Sequence, residues 1–227
     1  GMYGPNRTLQ LEEKPVSFGA SEILSDALSE GLIDAAVLVC EGAGTVVVAK
    51  PAVLQAIGAH MTGLVRTEPI EEIQDGLEER GCILLDRQGT VDQVLGFERA
   101  IEAGYRKIAV TIAGFRAADI QALRKREREM EAHAIILAVH TTWVKKSEAE
   151  LIMEGSDLIW SCASRAVREL AGERALMQIG VAIPVFALTL TGKRLILNRA
   201  MHFSGQLLMH RAGLPVAPEE KQPEPLV

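Results

Sequence analysis

Short apolar runs alternate with amphipathic stretches along most of the chain. Between the apolar runs, hydrophobic residues recur at helical spacing, as at Ile70, Ile73 and Leu77. The runs are apolar on both faces, which is typical of buried parallel strands. They occupy residues 35–39, 83–85, 108–112, 135–139, 158–160, 177–179 and 185–188. This alternation predicts a three-layer α/β domain with a mostly parallel or mixed open sheet. A (β/α)8-like barrel is the alternative fold, because the spacing of the strands suits it too.

Two segments depart from this alternation. Residues 45–49 follow the first strand after a link too short for a crossover, which indicates a hairpin or a strand running into an extended loop. Residues 190–211 read as one long helix, and the Pro-rich, acidic stretch 212–227 is predicted to be disordered. We therefore expect an N-terminal arm at 1–13, an α/β domain at 14–211 and a disordered tail at 212–227.

Composition narrows the function classes. The 227 residues include 48% hydrophobic and 4% aromatic residues, so Ala, Val, Ile and Leu must fill the core. The formal net charge of −6 and the mixed charges of residues 124–131 argue against nucleic-acid binding. No apolar run is long enough to span a membrane. The three cysteines form no Cys-x-x-Cys pair, which favours free thiols and a cytoplasmic protein.

Hydroxyl, thiol and ionisable side chains cluster directly after the predicted strands. In open α/β sheets, ligands bind beyond the carboxyl ends of the strands, so this is where we expect a ligand-binding site. The residues predicted to line it are Glu41, Gly42, Ala43, Gly44, Thr45, Thr111, Thr141, Thr142, Ser161, Ser164 and Arg165. The alternative for residues 41–45 is a glycine hairpin turn, and the alternative for Ser164 is a helix cap.

Three residues at these ends carry candidate catalytic chemistry. His140 can act as a general acid or base, and Cys40 or Cys162 as a thiol nucleophile. Together the three side chains also offer a Cys2His set for a metal ion, although their spacing is not diagnostic. The alternatives are a histidine satisfied by a neighbouring carbonyl group and cysteines packed as small hydrophobic residues. The sequence identifies no cofactor.

Six short sequence motifs together resemble those of a known protein family. They lie at residues 16–24, 34–45, 107–111, 138–142, 162–164 and 182–189. Across residues 14–200 the chain resembles the methanogenesis marker protein 8 family, a domain of unknown function found mainly in methanogenic archaea. The resemblance implies a cytosolic protein in an organism with methanogenic or related C1 metabolism. It implies no catalytic residue or cofactor.

The leading hypothesis is a small-molecule or cofactor-binding α/β protein with an accessory role in methanogenesis-linked or C1 metabolism. One alternative is a non-catalytic homo-oligomeric assembly protein that associates through the apolar C-terminal helix with Phe203, Leu207 and Leu208. Another is a thiol- or metal-dependent enzyme that uses Cys40, His140 and Cys162. Whether the protein is an enzyme stays open at this point.

Overall fold

A computed structural model describes residues 4–60 and 65–227, and of residues 59 and 60 it describes only the backbone. The helices are α1 (Ala20–Ser29), α2 (Pro51–His60), α3 (Glu71–Glu79), α4 (Gln93–Glu102), α5 (Ala118–Glu129), α6 (Lys146–Gly155), α7 (Arg165–Arg174) and α8 (Leu190–His202). The strands are β1 (Ala35–Cys40), β2 (Gly44–Val48), β3 (Ile83–Leu84), β4 (Lys107–Ala113), β5 (His133–Val139), β6 (Leu158–Trp160), β7 (Met177–Ile179) and β8 (Val185–Ala187).

The strands belong to one open, mixed sheet of eight strands. The predicted α/β class with an open sheet is therefore confirmed, and the closed barrel is wrong because antiparallel strands interrupt the repeat of strand and helix that a barrel needs. No helix in the described ranges combines the length and the apolar character that a bilayer crossing requires. The chain divides into two compact units, which are described in turn.

The first unit comprises the residues up to Thr111 together with Ala122–Ala134. Its strand order is β3-β2-β1-β4, in which β1 pairs parallel with β4 and antiparallel with β2. Residues 45–48 thus belong to a hairpin, which confirms the first of the two predicted alternatives, and residue 49 follows the strand. Every residue of β1 and β2 is buried, and Ile73 and Leu77 of the predicted helical stripe are fully buried, whereas Ile70 is half-buried.

The second unit comprises Ile112–Gln121 together with Ile135–Val227, and its strand order is β5-β6-β8-β7. Strand β5 pairs parallel with β6, whereas β8 is antiparallel to both β6 and β7. Asp157 joins these elements, because its carboxylate accepts hydrogen bonds from the Ile136 N–H at 2.9 Å and the Thr189 hydroxyl at 2.6 Å. The Asp157 carbonyl also accepts from the Leu188 N–H at 2.9 Å.

Helix α8 is shorter than the sequence predicts. It ends at His202 instead of continuing to residue 211, because Phe203 adopts an extended backbone. The Phe203 ring lies 5.8 Å from the Arg199 guanidinium, a cation–π arrangement, and Gly205, a poor helix former, follows two residues later. The apolar stripe predicted on one helix is therefore divided between a helix and a non-helical segment.

The segment after α8 runs back across the second unit. Gln178 exchanges two side-chain hydrogen bonds with the backbone of Val216, and the Gln222 amide donates to the Val181 carbonyl at 2.9 Å. These bonds place the Pro-rich segment against β7 and the loop that follows it. The predicted domain boundaries and the disorder of residues 212–227 stay predictions, and residues 1–3 of the predicted arm lie outside the described residues.

Candidate functional site

The predicted site residues belong to both compact units, and each set is described within its own unit. The first unit contains Cys40, the hairpin residues 41–45 and Thr111, whereas the second unit contains His140–Thr142 and residues 161–165.

The tip of the β1–β2 hairpin is tightly enclosed. Cys40 lies opposite Gly44, and the Ala43 N–H closes the turn on the Cys40 carbonyl at 3.0 Å. Gly44 has a φ of +76°, and a Cβ atom here would collide with the backbone of Gly89 and Thr90. Glycine is thus required at Gly44 by both its backbone conformation and the closeness of the neighbouring loop.

The N–H groups of this hairpin are engaged by the protein itself. The Gly42 N–H donates to the Thr67 hydroxyl at 2.8 Å, and the Thr45 N–H donates to the Thr90 carbonyl at 2.8 Å. The Thr45 hydroxyl is fully buried and accepts from the Asp92 N–H at 2.8 Å. The N–H groups of Gly42, Ala43 and Thr45 are therefore used within the protein, and a ligand-binding role of residues 41–45 stays a prediction.

Arg7 contacts the end of β1, a feature that the sequence did not indicate. Its guanidinium donates to the Glu41 carboxylate at 3.0 Å and to the Cys40 sulfur at 2.7 Å. Burial raises the pKa of the Cys40 thiol to about 11, against the opposing effect of Arg7. This environment does not favour a thiolate nucleophile at Cys40 near neutral pH. A single arginine in a polar N-terminal stretch gives no sequence signal of such a contact.

Thr111 lies inside β4 rather than beyond its end. It is buried, its hydroxyl donates to the Val37 carbonyl at 3.4 Å, and its own carbonyl accepts from the Gln93 side chain at 3.2 Å. These contacts give Thr111 a structural role in the first unit.

In the second unit, the predicted residues at the ends of β5 and β6 do come together. The Thr141 hydroxyl donates to the Trp160 carbonyl at 2.6 Å, and the Thr142 hydroxyl accepts from the Ala163 N–H at 3.3 Å. These two cross-strand bonds bring the segment that begins at His140 beside the segment that contains Cys162.

Three residues in this region adopt a left-handed backbone although none of them is glycine. The φ angles are +50° at His140, +71° at Trp143 and +47° at Cys162. Such a conformation is unfavourable for L-residues, and unusual for a bulky residue such as tryptophan. His140 and Trp143 are exposed, and partial desolvation of the imidazole lowers the pKa of His140, which favours its neutral form near pH 7.

Two buried side chains next to Cys162 have polar atoms without a hydrogen-bond partner. Ser161 is fully buried, and its hydroxyl makes no hydrogen bond. Arg168, one turn into α7, is 4% exposed and donates from Nη2 to the carbonyls of Cys162 at 2.6 Å and Ala182 at 2.9 Å. Its Nε and Nη1 atoms are buried without a partner. The sequence gives no signal for Arg168, because an arginine inside an amphipathic helix usually faces solvent.

The predicted residues Ser164 and Arg165 lie at the start of α7. The Ser164 hydroxyl accepts from the Val167 N–H at 3.2 Å. Ser164 therefore caps α7, as the predicted alternative of a helix cap requires. The Arg165 N–H donates to the Val227 carbonyl, and the Val227 N–H donates to Ala163, both at 2.9 Å. The exposed Arg165 side chain borders two cavities of about 430 and 670 Å³.

The structure gives no support to a metal centre. Among the side chains of residues 4–58 and 65–227, no three His, Cys, Asp or Glu converge so that they could hold a metal ion.

The fold and these contacts define an α/β protein with strained backbone and unpaired polar groups at the carboxyl ends of two adjacent parallel strands. By sequence, the chain belongs to the family described as "uncharacterized protein conserved in archaea (DUF2099)", whose model matches residues 1–201. It is also 35% identical to an uncharacterized protein of Methanocaldococcus jannaschii over 228 aligned positions, which cover 100% of this chain and 79% of that protein.

Proposed function

We propose that this protein binds a small molecule or cofactor at the carboxyl ends of β5 and β6, in an accessory role in methanogenesis-linked or C1 metabolism. The observation that carries the proposal is the left-handed backbone at His140, Trp143 and Cys162. Each such residue costs roughly 1–3 kcal/mol, and strain of this kind concentrates at binding and catalytic sites. The hydrogen bonds of Thr141 and Thr142 hold the strained segments side by side.

The geometry also supplies suitable chemical groups. His140 offers an imidazole whose pKa is lowered, and Cys162 offers a partly exposed thiol. The two cavities bordered by Arg165, at the start of α7, have volumes within the ~300–1,000 Å³ range typical of small-molecule sites, although His140 and Cys162 do not line them. The metabolic part of the proposal rests on the resemblance of the sequence motifs to the methanogenesis marker protein 8 family.

Tryptophan fluorescence tests the proposal directly. The chain has only two tryptophans, and both lie at this site, because Trp143 follows the end of β5 and Trp160 is the last residue of β6. We expect the small-molecule fraction of a methanogen cell extract to change the fluorescence of the wild-type protein. The response should be lost in His140→Ala and retained in His133→Ala, a matched control at the opposite end of β5.

The result that would overturn the proposal is a His140→Ala protein that folds and responds like the wild type. Circular dichroism establishes folding independently of the tryptophans. Fractionation of an active extract, followed by mass spectrometry of the protein-bound material, then identifies the ligand.

A second candidate function, homo-oligomeric assembly, is favoured by exposed apolar side chains at the end of α8 and in the segment that follows it. Met201 is 85% exposed, Leu208 86% and Met209 72%. Adjacent exposed apolar side chains often mark interaction surfaces. We expect light scattering coupled to size exclusion to show an oligomer that Leu208→Glu dissociates. A wild-type monomer would contradict this candidate.

A further inference from the structure

The buried Arg168 guanidinium is incompletely neutralised and incompletely hydrogen-bonded. Only Nη2 has partners, and both are carbonyl oxygens rather than carboxylates. In the part of the chain that the structure describes, no acidic side chain forms an ion pair with Arg168, and Nε and Nη1 have no acceptor. Burial lowers the pKa of Arg168, but arginine stays protonated at physiological pH.

A buried charge without an opposite charge is costly to the fold. The surroundings of Arg168 favour an anion in three ways. The first is that the guanidinium has N–H donors without an acceptor, and the second is that the Ser161 hydroxyl is buried without a partner. Ser161 precedes Cys162 in the chain, and Arg168 donates to the Cys162 carbonyl. The third is the positive end of the helix dipole at the start of α7. Arginine donors are well suited to the oxygens of a carboxylate or phosphate group.

We infer that Arg168 and Ser161 bind an oxyanion group of the ligand, so that the ligand of this site is a carboxylate or a phosphorylated compound. This inference rests on the function proposed above and specifies the chemical class of the ligand. It assigns Arg168 as a ligand-binding residue and places the anionic group beside the Cys162 backbone.

The C-terminal segment contacts the same loop that Arg168 contacts. Gln222 binds the Val181 carbonyl, next to the Ala182 carbonyl that Arg168 contacts, and Gln222 lines the cavity of about 670 Å³. The Gln222 Oε1 atom is also buried without a partner. Because Nε and Nη1 are buried in this structure, an incoming oxyanion must displace part of the protein around them, and we expect the Gln222 contact with Val181 to belong to the part that moves.

The test uses the full chain, with inorganic phosphate and acetate as separate probes and sodium chloride at equal ionic strength as the control. In ¹H–¹⁵N spectra of the wild type, we expect the Arg168 Nε–H signal to shift on titration with at least one probe. The probe that shifts it distinguishes a phosphate ligand from a carboxylate ligand. No movement of this signal with either probe would overturn the inference, and this measurement needs no variant to fold.

Thermal unfolding of variants provides the second measurement. The rise in Tm caused by the active probe should be lost in Arg168→Met and retained in Arg199→Met, a matched control because Arg199 is also 4% exposed and lies in the same unit. Gln222→Ala should bind the probe about twofold to tenfold more tightly, the range expected when a cover loses one hydrogen bond. An equal rise in Tm in the wild type and Arg168→Met would show binding elsewhere and overturn the inference.

The outcomes also separate this inference from the proposed function. An extract ligand whose fluorescence response needs His140 but not Arg168 leaves the proposed site standing and removes the oxyanion assignment. Loss of the response in both His140→Ala and Arg168→Met, with retention in Arg199→Met, supports both.

Discussion

Replacement of Trp143 by glycine should stabilise the protein relative to replacement by alanine. Both changes remove the same indole, which is 77% exposed, so the two variants lose nearly the same packing. They differ in whether the residue carries a Cβ atom at a φ of +71°. The comparison therefore isolates the backbone strain on which the proposed site rests.

The expected difference follows from two opposing quantities. A left-handed conformation costs an L-residue roughly 1–2 kcal/mol. Glycine loses more conformational entropy on folding, which offsets about 0.5–1 kcal/mol of the relief. Trp143→Gly should therefore be more stable than Trp143→Ala by about 0.5–1 kcal/mol. In a protein of this size that corresponds to a difference in Tm of roughly 1–4 °C.

Urea unfolding followed by circular dichroism measures this difference. Glu131, which has a φ of +50° and lies between α5 and β5, provides the control pair Glu131→Gly and Glu131→Ala. Both pairs should show the glycine variant as the more stable. Only Trp143→Gly should also weaken the ligand response, because Glu131 lies in the other unit. A Trp143→Gly protein no more stable than Trp143→Ala would refute the strain argument.

Three further predictions concern the fold that supports the two units. Gly44→Ala should lower the free energy of unfolding by at least about 2 kcal/mol more than Gly31→Ala. Both glycines have a positive φ, but only at Gly44 would an added Cβ atom collide with backbone atoms. Equal losses in urea unfolding would contradict this prediction. Asp157→Ala should cost roughly 3 kcal/mol, since it leaves buried donors unpaired, and a loss below about 1 kcal/mol in the same assay would count against the role of Asp157. The pKa of the Cys40 thiol is raised to about 11, so the unfolded chain loses this proton before the folded chain does, and stability should fall as pH rises from about 9 to 11. The size of this effect is roughly 2–3 kcal/mol. Between about pH 8 and pH 10.5, the urea midpoint of Cys40→Ala should fall less than that of the wild type. An identical fall in both proteins would contradict the raised pKa of Cys40.

Much of the fold could be predicted because strands and helices are largely local properties of the sequence. The run at residues 177–179 is β7, and the run at 158–160 is β6. The end of α8 could not be predicted in this way. Apolar residues continue at helical spacing beyond His202, and it is the packing of Phe203 against Arg199 that accompanies the change of backbone.

The candidate site could be predicted only in part. Position after a strand identified Thr141 and Thr142, which do hold the ends of β5 and β6 together. The same reasoning named Cys40, which belongs to the other compact unit, and its part in a shared site stays a prediction. Arg7 and Arg168 were missed, because each reaches its contacts from an element distant in sequence.

The amino-acid sequence by itself determined the alternation of apolar runs and helical stretches, the α/β class and the enrichment of polar groups at strand ends, since each of these follows from hydrophobic periodicity over a few residues. Only the tertiary structure decided which of those polar groups are satisfied. The N–H groups of Gly42 and Thr45 are paired by loops that come later in the chain, whereas two nitrogens of Arg168 are enclosed without an acceptor. Burial and pairing depend on which distant segments meet, and for that reason the strongest sign of function in this protein is a property of its packing.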